Sequence, residues 1–295
     1  MTVPEWNRVH DFLDAYDFWR DSVLAVMLAA AMSAYLGVYA LLRRVVFVGA
    51  ALTQISGVGV ALAFWLASFG PGAADPHHPS WYLSPQVFSL AAAVGGAVLF
   101  SQNRGSRRLA SETVVGLGWV LAAAALLLVL SSKRIVAEAH EVDDLLYGSA
   151  VLVSTAQVKV LAGVAGAVLL VHLVFHKELV FVTYDAEMAR TLGYRTALWD
   201  MLLFATFGVG ISFAVRTVGA LPAFGFLVIP PAAALLLVRR VAWAFPLAVL
   251  FAVVGGFLGY YVAFSREVPT GAALVATSAA FLVPGLVWRL VRGGS

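Results

Sequence analysis

The chain has no cysteine, which excludes disulfides, thiol nucleophiles and thiolate metal sites. Charge is scarce as well: only 12% of the 295 residues are Asp, Glu, Lys or Arg, against 62% hydrophobic. No polar stretch is long enough for a separate water-soluble domain, so residues 1–295 read as one unit. There is no G-x-x-x-x-G-K-[ST] phosphate loop and no H-E-x-x-H zinc motif. No nucleophile–base constellation stands out, which leaves an intramembrane enzyme as the weakest class. Residues 1–21 are acidic and aromatic and lack the basic start and small-residue cleavage site of a signal peptide, so this segment is expected to be retained.

What the chain does have is long apolar runs. A helix needs about 20 apolar residues to cross the hydrocarbon core, and lipid offers the backbone no hydrogen-bond partners. The runs are too long and continuous for barrel strands, which alternate over about 10 residues. Nine spans are expected, at Phe18–Leu42, Val46–Phe69, Tyr82–Phe100, Glu112–Leu130, Thr155–Phe175, Leu198–Val215, Val218–Val238, Val241–Phe264 and Thr270–Leu290. The fold class is therefore an all-α, polytopic transmembrane helical bundle. Pro222, Pro230 and Pro231 predict a kink or break in the seventh span. No internal repeat is evident.

Loop charge sets the expected orientation. Arg43, Arg44, Arg104, Arg107, Arg108, Lys177, Arg190, Arg195, Arg239, Arg240, Arg289 and Arg292 fall on one side. Asp11, Asp14, Asp17, Asp75, Glu138, Glu141, Asp143 and Asp144 fall on the other. The positive-inside rule makes the first side cytoplasmic, with residues 1–17 outside and the C-terminus inside. The excess of basic residues thus reads as topology in a bacterial-type plasma membrane, not as a nucleic-acid surface. Arg216 and Lys159, at outer span ends, can snorkel to headgroups. Glycine pairs such as Gly57 and Gly59, Gly95 and Gly96, Gly208 and Gly210, and the triplet Gly255, Gly256 and Gly259 suit close helix packing.

The longest inner loop, around residues 177–197, carries its own helix signal. Asp185 can cap a short helix over Ala186–Leu192, with Glu187 in the first turn and Gly193 as the stop. Such a helix either seats in a groove on a soluble partner or lies in the interface as a simple linker; sequence physics does not choose.

The run from Tyr184 through Asp185, Glu187, Ala189 and Arg190 to Gly193 resembles the (F/Y)D-x-E-x-A-x-x-x-G signature of metal-type ABC transporter permeases. Other pieces follow in order: Leu41–Arg44 with Gly49, Gly59–Leu62, Asp144–Ser149, Val218-Gly219 with Leu227–Pro230 and Ala232-Ala233, and Glu267–Gly271. The likeness spans roughly residues 20–290. It implies a permease that works as a homodimer, with two cytoplasmic ATPase subunits carrying the ATP and Mg, and an extracytoplasmic metal-binding protein delivering zinc, manganese or iron. The chain itself would bind no cofactor, and the 186–193 segment would be the coupling helix of a rigid-body, two-state mechanism.

One departure bears on cargo. The family pattern at the start of the second span, G-D-A-L-S-H-A, reads Gly49-Ala-Ala-Leu-Thr-Gln-Ile55 here. Ala50 and Gln54 stand where the resemblance implies a carboxylate and an imidazole, the ligands that borderline divalent metals prefer. Thr53, Gln54 and Ser56 keep this level polar, and a polar residue inside a span faces a pathway or bonds a neighbouring helix. Weaker metal candidates lie outside: His77 and His78 in one loop, His140, Asp143 and Asp144 in another. Each also reads as a solvated loop, and the acidic cluster could equally attract cations or a binding protein. His172 and His176 have i, i+4 chelating spacing, with two interfacial histidines as the plainer reading. Two rival functions remain: the same architecture with a non-metal or metal-complex cargo, and a membrane receptor or scaffold that does no transport.

Overall fold

The structure is a computed structural model and describes residues 12, 14, 16–68, 84–102, 111–132 and 153–292. Among them the chain forms twelve helices and no strand. They are α1 Tyr16–Leu42, α2 Val46–Ala67, α3 Pro85–Gln102, α4 Ser111–Leu130, α5 Thr155–Val174, α6 His176–Tyr184, α7 Ala186–Thr191, α8 Thr196–Val218, α9 Ala220–Leu237, α10 Val241–Arg266, α11 Thr270–Ala280 and α12 Leu282–Arg292. Nine stretches of the described residues are long and apolar enough to cross a membrane; α11 and the start of α12 together make the ninth.

Helix α1 is the axis of the bundle. It packs against α2, α5, α6, α8, α9 and α10, and Ala25, Ala29, Ala34, Leu36 and Tyr39 on it are fully buried. Its closest neighbour backbone is that of α9. A Cβ placed on Gly37 would lie 1.9 Å from the Leu227 carbonyl oxygen, so only glycine fits there. Pro231 lies four residues after Leu227 and has no N–H to offer that carbonyl. The proline thus supplies the exposed oxygen and the glycine makes room for it.

Helix α9 corrects one expectation. The break is not there: the helix runs through Pro230 and Pro231 as one element, with packing on α1, α8, α10 and α11 holding it in place despite the missing donors. The break occurs instead in the last span, at Phe281 between α11 and α12. Pro284 accounts for it: its ring opposes the carbonyl of Ala280, four residues back, and proline is tolerated in the first turn of the new helix. Phe281 stacks on Phe251 of α10 with ring centroids 4.9 Å apart.

Helix α3 lies between α2 and α8. Gly59 of α2 and Gly208 of α8 each face an α3 carbonyl, at Phe88 and Ala93. Between them runs a buried hydroxyl string: Ser89 Oγ is 2.7 Å from Ser56 Oγ and 2.8 Å from Ser212 Oγ. Gly95, by contrast, has open space around it and makes no close approach. Helices α4 and α5 are peripheral and expose Leu117, Leu121, Leu127 and Leu128, and Leu169, Leu170, Leu173 and Val174. So large an apolar surface fits lipid or another chain, not water. At the far end from Arg43, Phe12 stacks on Trp19 at 4.2 Å and meets Phe257, Tyr261 and Phe264 of α10 edge-on.

Candidate functional site

The segment between α5 and α8 is helical for most of its length, more so than the sequence pattern suggested, because α6 precedes α7. Asp185 Oδ1 accepts from the Met188 amide at 2.8 Å, which caps α7. The other end closes with two reverse bonds, Tyr194 N to Ala189 O at 3.0 Å and Gly193 N to Arg190 O at 3.1 Å. This is a Schellman ending, and it places Gly193 at φ +85°, a conformation glycine adopts without strain. The helix stops at Thr191, one residue short of the expected Leu192. Ala189 is its buried anchor, while Tyr184, Asp185, Glu187, Met188 and Arg190 are exposed. The result is a short helix held at both ends, with its outward face unoccupied by the described residues.

Beneath it the structure reveals two polar groupings that sequence pattern did not pair. Arg43, just past the end of α1, donates from Nε to Thr183 Oγ1 on α6 at 3.0 Å and from Nη1 to Asp200 Oδ1 on α8 at 2.5 Å. Both ionic side chains are almost fully buried. Asp200 is thus the buried partner of Arg43.

His172 is fully buried within the bundle. Its Nε2 lies 2.8 Å from Thr206 Oγ1, whose own proton goes to the Leu203 carbonyl. With the hydroxyl proton so placed, the threonine oxygen accepts from His172 Nε2–H. Nδ1 has no hydrogen-bond partner among the described residues. The ring sits against Tyr35 and Tyr39 at 5.5 and 5.1 Å, and Tyr39 Oη is 3.5 Å from His176 Nδ1.

The second-span residues line a groove of about 800 Å³ between α2, α4 and α9. Ala50, Thr53 and Gln54 contribute from α2, Trp119 and Val120 from α4, and Phe224 from α9. Of the described lining residues only Thr53 and Gln54 are polar, and the Thr53 hydroxyl donates back to the Ala50 carbonyl at 2.8 Å. Gln54 offers an occupant its amide, the Thr53 oxygen keeps its lone pairs, and Trp119 carries an indole N–H. Ser56 does not join them: it is buried on the α3 side, in the serine string. No group of three His, Asp or Glu side chains positioned to hold a metal occurs among the described residues. His77, His78, His140, Asp143 and Asp144 lie outside the described residues, as does the Asp144–Ser149 motif.

The chain matches the ABC 3 transport family over residues 15–289, nearly its whole length. It belongs to that family. The manganese transport system membrane protein MntC of Halalkalibacterium halodurans is 25% identical over 96% of this chain and 94% of its own length. The chelated iron transport system membrane protein YfeD of Yersinia pestis is 23% identical over 94% of this chain and 88% of its own. Among solved structures, PsaBC from Streptococcus pneumoniae in complex with Fab superposes with a TM-score of 0.79 at 20% identity, covering 94% of this chain and 95% of the other, which shows a shared fold. The relatives are transport permeases, and the nine apolar helices with this family membership make the chain a multi-pass protein of the bacterial inner membrane.

Proposed function

We propose that this chain is the membrane permease of an ABC importer that carries manganese, iron or zinc, and that it works as a homodimer with two cytoplasmic ATPase subunits and an extracytoplasmic metal-binding protein. ATP and Mg belong to the partner subunits. The α7 segment is the contact for the ATPase, with Tyr184, Asp185, Glu187, Ala189, Arg190 and Gly193 forming or supporting it. The N-terminus is extracytoplasmic and the C-terminus cytoplasmic, in line with the charge bias of the loops. The observation that carries the reading is α7 itself: a helix of six residues capped at both ends and turned outward, in a chain matching the family across residues 15–289.

Co-expression with an ATPase subunit, purification and reconstitution into vesicles tests it. The expected result is co-purification and uptake of radiolabelled manganese or iron that requires ATP. A chain that binds no ATPase subunit supports the receptor or scaffold reading instead.

The lining of the α2–α4–α9 groove favours a second reading of the cargo, a metal complex. Gln54 and Thr53 bring only neutral oxygens to a bare cation, whereas an apolar groove of about 800 Å³ with few polar groups suits a shielded one.

A further inference from the structure

Arg43 bonds to both limbs that flank α7. Thr183 is two residues before the α7 cap, Asp185, and Asp200 lies on the α8 side, in that helix's second turn. The two bonds leave the guanidinium in different directions, from Nε and from Nη1. A planar guanidinium holds two partners on separate nitrogens in fixed geometry; an ammonium offers rotatable donors from a single atom. Burying an ion pair gains little net stability, so its presence here points to geometric specification. Arg43 also continues directly from α1, the helix that contacts most of the bundle.

We propose that Arg43 is a positioning residue that transmits movement of α7 into the bundle: it locks α6, α7 and the start of α8 into one rigid unit fixed to the end of α1. Displacement of α7 then carries α1 with it. Without the two bonds, α6 and the start of α8 are no longer tied to the end of α1, α7 can tilt with them, and the displacement is lost. The proposal rests on α7 being the ATPase contact only in naming the source of the movement; the rigidity itself is testable without an ATPase.

The chain has no cysteine, so Glu187→Cys on α7 and Trp243→Cys at the start of α10 give two unique spin-label sites, both exposed. The full chain in lipid nanodiscs, with the doubly labelled chain diluted in excess unlabelled chain so that at most one copy per assembly carries labels, is compared with and without Arg43→Lys and Thr183→Val, changes that keep the charge or the side-chain volume. Pulsed electron paramagnetic resonance should give one narrow distance distribution for the parent and clearly broadened ones for both variants. Unchanged widths in folded, monodisperse variants would overturn the proposal.

In the reconstituted complex, both variants should retain the ATPase subunit and its hydrolysis. Cargo moved per ATP should fall about tenfold, within the usual range of coupling free energies. Loss of ATPase association in step with transport would also overturn it, since Arg43 would then only support the docking surface. If the parent chain binds no ATPase, the reading of α7 fails while the distance measurement still judges the joint.

Discussion

The Leu227 carbonyl oxygen, which Pro231 leaves without its helical donor, is seated against Gly37 of α1. The Gly37 hydrogen in the Cβ direction points at that oxygen, since a Cβ there would stand 1.9 Å from it. A Cα–H···O contact of this kind contributes about 0.5–1 kcal/mol and recurs at helix–helix interfaces. Its larger consequence is steric: α1 and α9 can pack at this distance only because one residue has no side chain.

Gly37→Ala should therefore be among the most damaging single-methyl changes in the protein. The atom opposed is backbone, which cannot rotate away, and overpacking costs about 1–3 kcal/mol or more. Gly95→Ala makes the matched control, because nothing lies within 4 Å of its Cβ position; there the change should be neutral or gain about 0.5–1 kcal/mol of helix propensity. Thermal unfolding in detergent, followed by tryptophan fluorescence, compares the two. Equal midpoints would contradict the packing.

The ends of α7 give a second test. Asp185→Ala removes the cap on the Met188 amide and costs about 1 kcal/mol of local helix, whereas Asp185→Asn keeps it. Gly193→Val forces a β-branched residue to φ +85°, at roughly 1–3 kcal/mol. If ATPase binding requires α7 to be formed, affinity should drop roughly five- to tenfold for Asp185→Ala and more for Gly193→Val. Asp185→Asn should bind as the parent does. Calorimetry or surface plasmon resonance with the purified ATPase subunit measures this.

A third concerns His172 and Thr206. Thr206→Val keeps the shape but removes the acceptor for His172 Nε2–H, leaving a second buried ring nitrogen unpartnered, at about 1–3 kcal/mol. His172→Phe with Thr206→Val replaces both partners by apolar groups, the new ring placed to meet Tyr35 and Tyr39 edge-on as the imidazole does, and should cost less than Thr206→Val alone. A double-mutant cycle on thermal stability reads the coupling directly.

The spans were readable from sequence because lipid allows a long apolar run few alternatives, and residues such as Val46, Thr155 and Val241 begin both the expected span and the observed helix. The α7 helix was readable because Asp185 and Gly193 are local signals for local structure. Arg43 with Asp200 was not: the partners are 157 residues apart and each looked like an ordinary loop-flanking charge. His172 is similar, since its burial depends on how α8 packs. The break at Phe281 was legible in principle through Pro284, whereas Pro230 and Pro231 leave α9 in one piece because neighbouring helices hold it. Ser56 shares its helix with Gln54 but points to α3, a distinction that chain order alone cannot make without knowing where each neighbour packs.

The groove on α2 separates the two readings of the cargo. Ala50 and Gln54 are both among its lining residues and are four apart on one helix, so their side chains project from the same face. Replacing them by a carboxylate and an imidazole, in Ala50→Asp with Gln54→His, installs two ligands that borderline divalent metals favour. If the native cargo is a shielded complex, the parent should transport it unaffected by excess free manganese or zinc. The double variant should then bind free metal in the groove and be inhibited by it. If the cargo is a bare ion held by groups elsewhere, free metal should compete with transport in the parent already, and the double variant should change affinity without changing the kind of cargo. Competition assays with radiolabelled metal in reconstituted vesicles distinguish these outcomes, and free-metal competition in the parent would rule out the shielded-complex reading.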